Sequence, residues 1–108
     1  MIHIRDSPCS TFFEVLSTNS RLDILVALYD GVKSVTELAE IVNTERTNIS
    51  HQLRILRGCS FVFVRKEGRK RMYSINMETV KPIFDLAEEH VEKFCKHKMK
   101  KCEKRKRE

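Results

Sequence analysis

Two stretches of this chain carry side chains that can do chemistry. From Arg46 to Arg54 the sequence reads Arg-Thr-Asn-Ile-Ser-His-Gln-Leu-Arg. Its guanidinium groups, hydroxyls, carboxamides and imidazole are donors and acceptors of the sizes that reach base edges and phosphates. The second stretch, Arg65-Lys66-Glu67-Gly68-Arg69-Lys70-Arg71, gathers cations around one glycine. Such a cluster suits the phosphate backbone of a nucleic acid. Enzymatic equipment is not visible. There is no Ser/His/Asp set and no phosphate-cradling loop, and three glycines in the whole chain leave little room for one. The chain is not expected to be an enzyme, and no cofactor or metal is expected.

Charge singles out the same region. Residues 46–71 carry eight Lys/Arg against Glu67 alone, whereas residues 1–45 carry three against seven acids and residues 72–95 two against five. Residues 96–108 are basic again, with eight Lys/Arg against two acids. A polyanionic partner would therefore meet the middle block, with the tail either as a reserve of positive charge or as a solvated face.

The surrounding elements decide how these residues are presented. At 108 residues, with 41% hydrophobic and 33% charged, the chain fits one soluble globular domain. We expect that domain over residues 1–95, with residues 96–108 as a basic extension. No apolar run approaches the roughly 18 residues of a membrane span. The first ten residues lack the apolar segment of a secretory signal, so a cytoplasmic protein is expected. Cys9, Cys59, Cys95 and Cys102 form no C-x-x-C pair and are expected to be thiols.

Ser7-Pro8 opens a first helix bearing Phe12, Phe13 and Leu16. Asn19-Ser20 opens a second, with Leu22, Leu25, Val26 and Tyr29 at helical spacing and Asp30-Gly31 at its end. Ser34 and Glu37 make a capping box for a short third helix with Val35, Leu38, Ala39 and Val42 inward. After a turn at Asn43-Thr44, a fourth helix runs from Glu45 to about Arg57 with Ile49, Leu53 and Leu56 inward. Thr47, Asn48, His51 and Arg54 then face broadly outward, with Arg46 and Ser50 on the flank. The period next changes to that of strands at Phe61–Val64 and Met72–Ile75, with residues 65–71 as a basic hairpin tip. Thr79 caps a last helix running to Lys96 and beyond. The expected fold is mainly α with a β-hairpin, in the order ααααββα. A short capped helix, a tight turn, a helix with a polar outer face and then a basic hairpin describe a winged helix-turn-helix.

The stretch from Ile41 to Ile75, together with NSRLDILVALYDG and SVTELAEIV before it, resembles the ArsR/SmtB family of winged-helix repressors. The resemblance spans about residues 8 to 92. Ser50, Leu53 and Leu56 match the family's recognition-helix pattern, and Val62, Gly68-Arg69 and Tyr73 match its wing. Gln52 stands where the family usually has His, with His51 one place earlier. Ser60 stands where it usually has Gly, and Cys59 where it often has a small buried residue. The resemblance implies a dimeric repressor of double-stranded DNA with a palindromic operator. From the outward face of the fourth helix and the basic hairpin, DNA contact is expected of Arg46, Thr47, Asn48, Ser50, His51, Gln52 and Arg54, and of Arg65, Lys66, Arg69, Lys70 and Arg71 of the wing. The metal motifs of the family do not appear: SVTELAEIV has no Cys or His, Asp85 is followed two on by Ala87, and His97 three on by Lys100.

Val80, Phe84, Ala87, Val91 and Phe94 are spaced 4, 3, 4, 3, a heptad seam that packs most simply on its own copy. With Phe12, Phe13 and Leu16 of the first helix they are the expected dimer interface. In that arrangement Cys9 would lie near the last helix, and Cys9 with Cys95 is the candidate thiol switch. The alternative is that both are small buried hydrophobes. A second functional class is a winged-helix module that holds protein or RNA through the basic tail.

Overall fold

The structure is a computed structural model that describes residues 8–95, with side chains from Thr11 onward. Its elements are α1 (Pro8–Leu16), α2 (Asn19–Tyr29), β1 (Lys33–Ser34), α3 (Val35–Val42), α4 (Arg46–Gly58), β2 (Val62–Glu67), β3 (Lys70–Ile75), α5 (Val80–His90) and a π-helical turn, Val91–Cys95. They fall into two compact units that divide between Asn76 and Met77. No helix among the described residues is long and apolar enough to cross a membrane.

The first unit is the helix-turn-helix and its sheet. Ile24, Leu25 and Leu28 of α2, Leu38 of α3, Ile49, Leu53 and Leu56 of α4, and Phe61 and Val62 are all essentially inaccessible to solvent. Phe12 of α1 stacks on Phe61, with ring centroids 4.7 Å apart. The ring of Phe12 therefore contributes to the core of its own chain, although it was expected at a dimer interface.

The inward face of α2 differs from the expected stripe. Ile24, Ala27 and Leu28 are buried beside Leu25, whereas Val26 is 59% exposed. The reason is that α2 touches α1, α3, α4 and β3. A helix covered from several sides buries a broad sector, which no single stripe of the sequence marks.

The sheet is antiparallel, in the order β1-β3-β2. The two-residue β1 was not expected, being too short to show a period. It pairs Lys33 with Tyr73 and Ser34 with Met72. The hairpin strands are longer than expected. They pair from Val62 with Ile75 as far as Glu67 with Lys70, so the tip is only Gly68-Arg69. Gly68 has φ +62° and Arg69 has no positive φ. That is the arrangement of a type II′ turn, whose first position glycine occupies without a Cβ penalty.

The second unit begins with α5, in which Val80 is buried and Leu86 is 65% exposed. The regular helix stops at His90, where a helix running past Lys96 was expected. A Lys93–Glu89 ion pair of 2.7 Å and a His90–Phe94 ring contact of 5.3 Å span this junction. The π-helical turn alters the seam, because the 4, 3, 4, 3 spacing keeps one face only on an unbroken α-helix. Phe84 and Ala87 share a phase that Phe94 leaves. Val80, the first expected seam residue, has no surface left for a partner.

Candidate nucleic-acid interface

The helix-turn-helix is built by two local devices. At the start of α3 the Glu37 N–H donates to Ser34 Oγ (3.2 Å) and the Ser34 N–H donates to Glu37 Oε1 (3.0 Å), closing the capping box. Hydrogen bonding to Ser34, its backbone N–H first and its side chain second, holds the Glu37 carboxyl below its ordinary range. At its end Asn43 adopts the left-handed conformation at φ 59°, and the Thr44 N–H returns to the Ala39 carbonyl at 3.1 Å. Asparagine tolerates this geometry better than other residues with a Cβ. The chain then turns directly into α4.

On α4 the buried row Ile49, Leu53 and Leu56 fixes the rotation of every other residue. At 3.6 residues per turn, Thr47, His51 and Arg54 lie farthest from that row. All three are exposed. Arg46 and Ser50 form one exposed shoulder, and Arg57, which sequence reasoning passed over, joins them. Asn48 and Gln52 form the other shoulder and are only half-buried. Here the structure adjusts the expectation. Asn48 Nδ2 donates to Thr44 Oγ1 (3.2 Å), and Gln52 Nε2 donates to Asn48 Oδ1 (3.4 Å). Gln52 Oε1 accepts from Arg21 Nη1 of α2 at 3.4 Å. Each carboxamide has thus already spent part of its hydrogen-bonding capacity inside the chain.

The helix passes to the wing through Ser60. Its φ is 60°, its N–H donates to the Arg57 carbonyl (3.0 Å), and the Phe61 N–H donates to the Leu56 carbonyl (2.9 Å). These two bonds define a Schellman motif, with serine in the place glycine usually takes. Asn76 Nδ2 donates to the Ser60 carbonyl and the Asn76 N–H to the Phe61 carbonyl, each at 2.9 Å. Recognition helix and wing therefore share one anchored junction. Cys59 beside it is exposed, contrary to the buried place its sequence position implied. The three inward residues of α4 complete the contact before Cys59, which as the C-cap lies beyond it.

The wing sorts its charges by face. Partners opposite one another point the same way, so Lys66 and Arg71 continue the face of Val62, Val64, Tyr73 and Ile75. Arg65, Glu67 and Lys70 lie on the other face. There Arg65 Nη2 contacts Glu67 Oε1 at 2.7 Å, with both side chains mostly in solvent. All five expected wing residues, Arg65, Lys66, Arg69, Lys70 and Arg71, are exposed. A recess between the start of α3 and the tip is lined by Ser34, Val35, Thr36, Arg69, Lys70 and Arg71. Among the described residues no three His, Cys, Asp or Glu side chains are grouped as metal ligands would be.

These features have counterparts in known proteins. The profile of the bacterial regulatory protein arsR family matches residues 18–63, from the N-cap of α2 into the wing. The solution structure of apo-NmtR superposes with a TM-score of 0.69 at 38% identity, over 78% of this chain and 71% of that one. The chain belongs to the arsR family. Among arsR-family relatives, the transcriptional regulator NmtR of Mycobacterium tuberculosis is 40% identical over 73% of this chain and 66% of its own length. CmtR of Mycobacterium bovis is 38% identical over 67% of this chain and 61% of its own. The chain thus spans under two thirds of the length of these two relatives. The homodimeric winged helix-turn-helix DNA-binding domain of Mb0332 from Mycobacterium bovis, a possible ArsR-family regulator, matches with a TM-score of 0.75 at 27% identity, covering 82% of each chain. The arsR-family match therefore extends beyond the helix-turn-helix into most of the described chain.

Proposed function

We propose that this chain is a sequence-specific double-stranded-DNA-binding transcriptional regulator that acts as a dimeric repressor in the cytoplasm and catalyses no reaction. The observation that carries the reading is the exposed row Thr47, His51 and Arg54, on a helix anchored at one junction to a ribbon of exposed cations. An α-helix with such a row fits the major groove, and the ribbon meets the flanking phosphates. Relatives named as a transcriptional repressor SmtB homolog and as an arsenical resistance operon repressor support the repressor role. The homodimeric Mb0332 domain supports a two-fold assembly. In that assembly Phe13, Leu16, Phe84, Ala87 and Val91 supply the interface, and two recognition helices meet half-sites about one helical turn apart.

The test is selection of genomic fragments by the purified chain, followed by footprinting. A two-fold symmetric footprint is the expected result. Failure to enrich any duplex, with capture of RNA or protein instead, overturns the reading in favour of an interaction module. Oxidation is the proposed signal, acting through Cys9 and Cys95. Cys95 is half-buried in the π-helical turn, and the Cys9 side chain lies outside the described residues. Mass spectrometry of the oxidised chain must find a Cys9–Cys95 linkage together with altered operator affinity. Absence of the linkage removes this part of the proposal.

A further inference from the structure

We infer that Arg21, on a helix outside the expected DNA surface, is a positioning residue for base discrimination, because it fixes which way the carboxamides of Gln52 and Asn48 face. The inference rests on the DNA-binding reading above and deepens it.

The guanidinium of Arg21 is held on two sides. Its Nε donates to the Val15 carbonyl at 2.7 Å and its Nη2 to Thr18 Oγ1 at 2.5 Å. The group is planar, so two short bonds fix where its third nitrogen sits. That nitrogen, Nη1, faces Gln52 Oε1. All three partners are neutral oxygens.

Direction follows from donor chemistry. A guanidinium donates and never accepts, so Gln52 must turn its oxygen towards Arg21. Gln52 Nε2 is then the atom left for Asn48, and it meets Asn48 Oδ1. Asn48 in turn is left with Nδ2 towards Thr44 Oγ1. Reversing either carboxamide sets donor against donor. The oxygen and nitrogen of an amide have nearly the same shape, so only such a chain of partners decides between them. The two links to Gln52, both 3.4 Å, are long, whereas the bonds that hold the guanidinium are short. The orientation is thus imposed from the arginine end.

This matters because a carboxamide reads adenine with an acceptor for N6–H and a donor for N7, in one order. After the relay, Asn48 and Gln52 each retain one N–H and one oxygen lone pair. A carboxamide held one way presents one order. A carboxamide free to turn presents both and discriminates less.

The test uses the full chain with Arg21→Gln and Gln52→Glu. Arg21→Gln removes the fixed donor. Gln52→Glu keeps an acceptor for Arg21 but cannot donate to Asn48, so it breaks the relay without breaking the contact beneath it. Binding of each variant to random duplexes is measured position by position, together with side-chain carboxamide NMR signals and a thermal melt. Both variants are expected to melt cooperatively, and Arg21→Gln to keep wild-type affinity and salt slope on a non-preferred duplex. Both should lose discrimination by roughly tenfold at the base pairs read by the Asn48 shoulder. Arg21→Gln should also speed exchange of the Gln52 and Asn48 carboxamide protons. Unchanged discrimination in a folded variant overturns the inference. So does an equal loss on preferred and non-preferred duplexes, which is the mark of a merely structural arginine. If Arg21→Gln does not fold, Gln52→Glu decides. If the wild-type chain selects no duplex, the DNA-binding reading fails and the role in base discrimination fails with it, while the carboxamide signals still report whether Arg21 sets their orientation.

Discussion

Lys66 and Arg71 stand directly opposite one another on the wing, two cations as cross-strand partners. Like charges so placed destabilise a ladder by roughly 0.2–1 kcal/mol. Glu67, the neighbouring acid, belongs to the other face, where it pairs with Arg65. The repulsion is relieved when a polyanion lies along the Lys66–Arg71 face. Replacing both residues by alanine should leave the isolated protein as stable or slightly more so. It should weaken duplex binding and flatten the plot of log affinity against log salt by about 1.8, the share of two phosphate contacts. Titrations at several salt concentrations check this, and an unchanged slope would place the pair away from DNA.

Arg54 and Arg57 are both exposed arginines on α4, yet they belong to different rows. Arg54→Ala should cost about 1–3 kcal/mol on the preferred duplex and relax preference at one base position. Arg57→Ala should weaken all sequences alike and lower the salt slope by about 1. Measured preferences that move with Arg57 rather than Arg54 would show that the helix is rotated in the groove.

Ser60 occupies a conformation that favours glycine. Its left-handed φ costs a residue with a Cβ roughly 1–2 kcal/mol, partly offset by glycine's greater freedom when unfolded. Ser60→Gly should therefore raise stability by about 0.5–1 kcal/mol in denaturant melts. The wing should keep its place, since the Asn76 bonds go to the backbone carbonyls of Ser60 and Phe61. A destabilised Ser60→Gly protein would mean that the serine hydroxyl has a role of its own.

The capping box makes stability depend on acid. The folded Glu37 carboxyl titrates below its ordinary value of 4.5 because it accepts from Ser34. Its contribution is complete above the unfolded value and is lost as pH falls through the folded one. Glu37→Gln keeps an acceptor for the Ser34 N–H and should remove this dependence. Wild type should therefore lose stability relative to Glu37→Gln below about pH 4.5 and not above it. Ser34→Ala should cost about 0.5–2 kcal/mol at neutral pH. Parallel melts from pH 3 to 7 test both, and coincident curves for wild type and Glu37→Gln would rule out the linkage.

The helix-turn-helix was legible because its signals are local. Ser34 with Glu37, Asn43, and the repeat of Ile49, Leu53 and Leu56 each act within a few residues. What escaped depends on distant partners. The two residues of β1 exist as a strand only because β3 lies beside them. The wing strands reach Glu67 and Lys70 because a two-residue turn lets charged residues continue the ladder, although their side chains carry no apolar alternation. The exposure of Val26 follows from what surrounds α2. In the site, exposed residues of α4 could be read from its buried row, but Arg21 could not be linked to Gln52, 31 residues away. One signal was present: Arg21 is one of only three basic residues in the first 45. A cation alone among acids invites the question of which oxygens hold it.

The π-helical turn at Val91–Cys95 also bears on how this chain compares in length with its relatives. An i→i+5 turn holds one residue more than the α turn it replaces, so it stores an insertion without a loop. Alignment with a helix that continues unbroken therefore needs a one-residue gap between Val91 and Cys95. Ungapped, every position after His90 is matched one step out of register. Loss of one residue there would restore a regular α-helix yet leave Phe94 off the row of Phe84 and Ala87, because it would then stand about two and a half turns beyond Phe84. The face presented beyond His90 thus depends on how the chain winds as well as on its composition.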